Sequence, residues 1–133
     1  MTFAGINYIA VVIAALAGFG TGMVWYMVLG SRWLAALGKR KEEMKPDPVP
    51  FVISIVCLLV MAWMLAGVIG HVGEVTVWRG VVSGFFVWFG FVVTTMGVNH
   101  AFQGAPASLT AIDSGHWLAV LLVQGAVIGA FGV

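Results

Sequence analysis

Residues 9–29 read IAVVIAALAGFGTGMVWYMVL, an apolar run without one charged side chain. A helix rises about 1.5 Å per residue, so roughly 20 such residues cross a hydrocarbon layer of about 30 Å. Three further stretches of this kind follow, at about 51–70, 78–102 and 107–133, and the first extends back to residue 6. The pattern predicts an all-α, polytopic membrane protein, a single transmembrane domain over 1–133 folded as a bundle of four transmembrane helices at 6–29, 51–70, 78–102 and 107–133. Composition points the same way: 62% of the 133 residues are hydrophobic and 8% are charged, which excludes an ordinary soluble fold. Ala15-Leu16-Ala17-Gly18 imitates a signal-cleavage site, but no Lys or Arg precedes the run and it continues far past a signal core. A retained first helix is expected.

The one sizeable polar segment is 30–50, where Gly30, Gly38, the run Lys39-Arg40-Lys41-Glu42-Glu43 and Pro46, Pro48 and Pro50 interrupt spanning. Pro50 suits the first turn of the second helix, where its missing N–H costs nothing. Five of the six basic residues, Arg32, Lys39, Arg40, Lys41 and Lys45, lie in this loop, and Arg79 is the basic residue on the opposite side. The distribution of positive charge predicts a cytoplasmic 30–50 loop, with both termini and the 71–77 loop outside. Trp25, Tyr26 and Trp33 at one boundary and Trp78 at the other read as interfacial aromatic belts.

Lipid tails are as apolar as leucine, so helices in a bilayer associate through close backbone approach and interhelical hydrogen bonds rather than through apolar burial. Small residues therefore mark the seams. Ala10, Ala14, Gly18 and Gly22 form a stripe on the first helix; Ala62, Ala66 and Gly70 on the second; Gly80 and Gly84 on the third; Gly125 and Gly129 on the fourth. Packing within the chain is one reading of these stripes, and presentation of the first or fourth to another subunit is the sharper one. The lone Cys57 sits in an apolar run and reads as a packed thiol.

Ionisable groups at membrane depth are costly and carry a functional hypothesis. Asp113 and His116, three apart, share a face of the fourth helix, and Asn99, His100 and Gln103 close the third near the same boundary. Asp113 is expected to accept hydrogen bonds from Asn99, Arg32 or helix-end amides and to tether the hairpin. His100, His116 and Asp113 are admissible as a two-histidine, one-carboxylate set, though no closely spaced ligand motif is present, so neither a metal nor another cofactor is expected. An Asp/His pair also suits a proton or ion relay. Gln124 lies about 16 Å deeper at 1.5 Å per residue, and reads as a bridge to a neighbouring helix with Trp63 or Trp88 as a partner. Thr94, Thr95 and Ser83 either line a polar path with it or bond their own helix.

No nucleophile elbow, phosphate-binding glycine loop or Cys/His catalytic spacing is present, so an enzyme is not expected. A net charge of +1 offers nothing to nucleic acid.

Asn7-Tyr8 opening the first helix, Trp25-Tyr26 then Gly30 and Trp33 at its end, Gly90-Phe91 with Asn99 in the third, and Ile112-Asp113-Ser114-Gly115 in the fourth form a pattern over essentially the whole chain. It resembles the bacterial membrane-protein family catalogued as domain of unknown function seventeen sixty-one. The resemblance implies a compact four-helix protein of the bacterial inner membrane without an established activity. Where that pattern carries an aromatic after the Ile-Asp-x-Gly segment this chain has His116, so Asn99 and Asp113 are the residues that match it. Small multidrug-resistance transporters are similar in size but use a glutamate in helix 1, which is absent here, and small fluoride channels use an arginine where this chain has Trp25-Tyr26. The expected function is an oligomeric transporter, channel or sensor of a small solute or ion, with Asn99, Asp113, His116, His100 and Gln124 along its path. The alternatives are an accessory subunit of a larger membrane complex, docked through its glycine stripes, and metal or cofactor binding through His100 and His116.

Overall fold

A computed structural model describes residues 5–132 and shows four helices long and apolar enough to cross a membrane: α1 (Tyr8–Leu37), α2 (Val49–Val72), α3 (Val77–Gln103) and α4 (Ala107–Phe131). The expected four-helix, all-α architecture is the observed one. Residue 133, the expected last residue of the fourth helix, lies outside the described residues.

Asn7 caps α1, its side-chain oxygen accepting from the amides of Ile9 at 3.1 Å and Ala10 at 3.2 Å. The helix then runs past Gly30, where the sequence predicted its end, and stops at Leu37. A single glycine costs a helix interior about 1 kcal/mol, which the good helix formers Leu34, Ala35, Ala36 and Leu37 outweigh. Gly38 supplies the actual stop: at φ 70° it lets its own N–H reach Ala35 and that of Lys39 reach Leu34, closing a Schellman motif. At 30 residues α1 is about 45 Å long and overreaches the hydrocarbon thickness. The polar connection is correspondingly shorter than 30–50 and contains one 3-10 turn, Lys41–Glu43. Pro50 sits in the first turn of α2, and Asp47 accepts from the Val49 amide at 3.0 Å.

α3 contains a π segment, Trp88–Val92, between two α-helical halves. Its cause is legible in what faces α4. Gly80 and Gly84 meet the α4 backbone, Trp88 bonds to Ser114, Val92 packs on the core and His100 meets Thr110. These positions repeat every four residues, which in an α-helix of about 100° per residue drifts by about 40° at each step. One wider turn takes up the accumulated drift and keeps both halves of α3 on the same neighbour. Gly104, at φ 70°, ends α3 with a second Schellman motif, and Pro106 precedes α4.

α4 is the centre of the bundle. Along α3, Gly80 and Gly84 lie against the backbones of Gly125 and Leu121, and Gly129 lies against that of Thr76. A Cβ at Gly80 would enter the Gly125 carbonyl, and one at Gly125 would enter that of Gly80. On the other side Ala14, Leu58, Ala62, Leu65, Val120 and Leu121 form the buried core shared by α1, α2 and α4. The small-residue stripes are thus consumed within the chain, including Ala14 and Gly18 of α1 and Gly125 and Gly129 of α4. Of the two readings of the stripes, packing within the chain is the one these contacts support. Cys57 is exposed on α2 rather than packed, because the buried face of that helix is set by Leu58, Ala62, Leu65 and Ile69. Phe85, Phe86, Phe89 and Phe91 stand outward from α3, as a lipid-facing surface allows.

The α3–α4 seam tolerates no added atom. Gly125→Val is expected to cost about 1–3 kcal/mol or to prevent folding, read as a fall in the thermal midpoint of the purified protein in detergent. Gly97→Ala, with nothing within 4 Å of the added methyl, leaves the midpoint unchanged or slightly raised.

Candidate functional site

The stripe Ala10, Ala14, Gly18, Gly22 advances by fours, and the next member of the series is Tyr26. Tyr26 and its neighbour Trp25 therefore lie on the packed face of α1. The aromatic-belt reading of Trp25 and Tyr26 is overturned: both turn inward and bond to α4. The indole N–H of Trp25 donates to the Ile112 carbonyl at 3.0 Å, and the Tyr26 hydroxyl donates to Asp113 at 2.7 Å. From α3, Trp88 donates to the Ser114 carbonyl at 2.7 Å. Each carbonyl has a second lone pair beyond its helix bond, so α4 accepts these donors without unwinding.

Gly115 and His116 complete the same turn of α4. A Cβ at Gly115 would stand 2.9 Å from the Trp25 ring, so glycine is what seats the indole there. His116 fills an aromatic slot, its ring centroid 5.0 Å from that of Tyr26 and 4.5 Å from that of Trp117. Gly22 makes room for it, since a Cβ there would lie 2.8 Å from His116 Nε2. His116 is 8% exposed, and its Nδ1 is covered without a hydrogen-bond partner among the described residues. Trp33 continues the aromatic layer, packing edge-on to Tyr26 with centroids 5.4 Å apart.

These groups border a cavity of about 630 Å³ between α1, α2 and α4, with Met96 contributed by α3. Phe19, Met23, Tyr26, Met27 and Trp33 form the α1 wall, Pro50, Phe51, Ser54 and Leu58 the α2 wall, and Asp113, His116 and Trp117 the α4 wall. The cavity occupies the half of the bundle nearest the 38–48 connection. The other half is filled by core residues such as Ala14, Leu65, Ile69 and Ile128.

The sequence-predicted residues divide. Asp113 and His116 line the cavity together. The partner of Asp113 is Tyr26, not Asn99 or Arg32: α1 rather than the end of α3 packs against this turn, and Arg32 is exposed farther along α1. Asn99 is exposed in the last turns of α3, and its side chain makes no hydrogen bond among the described residues. His100 is held to Thr110 at 2.7 Å, pinning the α3–α4 hairpin outside the cavity wall. The expected His100, His116 and Asp113 ligand set is not assembled: among the described residues no three His, Cys, Asp or Glu side chains converge as metal ligands. Gln124 is fully buried and does bridge helices, but its amide donates to the Leu58 carbonyl at 3.2 Å rather than meeting a tryptophan. Thr94 and Thr95 bond the carbonyls of their own helix. The place of Tyr26, Trp33 and Ser54 in the cavity wall was not foreseen from the sequence, where Tyr26 and Trp33 read as interfacial aromatics, although the four-residue series through Gly22 points to Tyr26.

The Tyr26–Asp113 bond joins two helices at membrane depth, where such bonds contribute about 0.6 kcal/mol on average and up to about 1.7. In a double-mutant cycle, Tyr26→Phe and Asp113→Asn are each expected to destabilise the protein, and the pair to couple by about 0.5–2 kcal/mol, read from unfolding in detergent. The same cycle between Asp113→Asn and Asn99→Ala shows no coupling.

No curated protein and no solved structure matches the chain. A protein family does, over residues 9–129, which takes in all four helices and the whole turn from Ile112 to His116. The chain belongs to DUF1761, a family described as protein of unknown function.

Proposed function

We propose that this protein binds a small organic solute inside the bilayer, in the cavity between α1, α2 and α4, and carries or senses it there without chemical conversion. The observation that carries this reading is the cavity itself, with its three convergent polar groups. A volume of about 630 Å³ falls in the range of roughly 300–1,000 Å³ typical of small-molecule sites. Its walls are mostly apolar and aromatic, with Tyr26, Asp113 and His116 placed together on one side, as a site that orients a ligand requires.

The cavity is one-ended. Leu58 and Gly18 lie at its inner limit, where Gln124 ties α4 to α2, and beyond them the bundle is packed. That favours a carrier or a receptor over an open channel. The positive charge of the 38–48 connection supports a cytoplasmic side for the occupied half, in a bacterial inner membrane. An accessory-subunit role has less support, since the glycine stripes on which it rested are used inside the chain.

A thermal-shift screen of the purified protein against neutral, zwitterionic and charged organic solutes tests the proposal. A ligand at 100 times its Kd stabilises by about 2.7 kcal/mol, which raises the midpoint by several degrees. Ser54→Trp, which fills the cavity from α2, is expected to fold and to lose that shift. A screen without a stabilising solute, or a shift that survives in Ser54→Trp, overturns the reading.

A further inference from the structure

The charge inventory of the cavity narrows its occupant. Asp113 is the one carboxyl group among the described lining residues, and neither Lys nor Arg lines it. The titratable groups facing it are Tyr26 from α1 and His116 on its own helix. The α2 wall, whose polar member is Ser54, and Met96 from α3 bring none. Tyr26 donates a neutral hydrogen bond and no charge. A doubly protonated imidazole presents both nitrogens as donors, and the covered Nδ1 of His116 has no acceptor to receive one, so this ring supplies no counter-charge either. Asp113 is half-buried, and its one hydrogen-bond donor, Tyr26, is neutral, so the wall itself offers the carboxylate no counter-charge. A cation from outside the chain supplies it.

The rest of the wall says which cation. Inorganic ions such as Ca²⁺ or Mg²⁺ take six or more oxygen ligands. Besides Asp113, the side-chain oxygens in the wall are those of Tyr26 and Ser54. What the wall has in quantity is aromatic side chains, from Phe19, Tyr26, Trp33, Phe51 and Trp117. Their negative π-faces attract cations, and an aromatic enclosure is the recognised solution for alkylated ammonium groups.

We propose that the cavity takes a monovalent organic ammonium, which pairs with the Asp113 carboxylate. The inference rests on the cavity being a solute site and adds the class of solute. Tyr26 is a positioning residue, holding one carboxyl oxygen of Asp113.

The test uses the purified full chain in detergent, with benzyltrimethylammonium and its uncharged carbon isostere neopentylbenzene as probes, titrated calorimetrically. The cation is expected to bind about tenfold or more tightly than the isostere. Asp113→Asn should lose the preference while still binding neopentylbenzene, which shows that the variant is folded with its cavity intact. Tyr26→Phe should keep the preference. Equal affinities for the two probes or an unchanged Asp113→Asn overturns the inference and leaves the solute cavity standing. Absence of binding by both probes removes the cavity reading along with it.

Discussion

In a bilayer the helices of this protein gain little by hiding apolar surface from one another, so the bundle depends on hydrogen bonds and close backbone contact. Both are concentrated on α4. Every residue from Ile112 to His116 joins α4 to another helix. Two carbonyls take indole N–H groups, a carboxyl takes a phenol, a glycine seats a ring, and an imidazole fills the space left by Gly22. Farther along, Gly125 and Gly129 let the α3 backbone approach, while Gln124 reaches α2. One turn of α4 thereby fixes the relative rotation of α1 and α3, and the cavity is the space left beside it where α2 does not close against α1.

The same economy explains why a binding site and a structural joint share atoms. Asp113 is tied to Tyr26, and Tyr26 packs against His116 and Trp33, so groups that face the cavity are held by the contacts that hold the helices. Preorganisation of this kind lowers the cost of ordering side chains when a ligand arrives. It also makes the site responsive, because an occupant that pulls on Asp113 pulls on the α1–α4 contact.

Much of the fold was legible in the sequence because spanning length is a coarse, redundant signal. Helix number and the seams survive small errors in any one residue. The end of α1 was not legible at Gly30, because a glycine with nothing around it is tolerated in a helix, and the stop at Gly38 depends on a left-handed conformation that composition does not announce. Within the site, Asp113 and His116 stood out as ionisable groups at depth, but their partner did not. Tyr and Trp near a helix end serve equally as interfacial anchors or as interior donors, and only the direction of the helix face separates the two. Asn99 carried a family resemblance and a polar side chain, yet the rotation of α3 leaves it outside the cavity wall.

That rotation is a property of the π segment. Trp88–Val92 holds one residue more than an α-helical turn would, and the surplus is what lets a four-residue repeat stay aligned with α4 on both sides of it. The two halves of α3 are therefore phased independently: the glycine half is keyed to the α4 backbone, and the Met96–His100 half to the cavity end. Chain length at this point acts as an angular setting. Removing a single residue there would turn the second half by about 100°, carrying Met96 and His100 off α4 while Gly80 and Gly84 kept their grip.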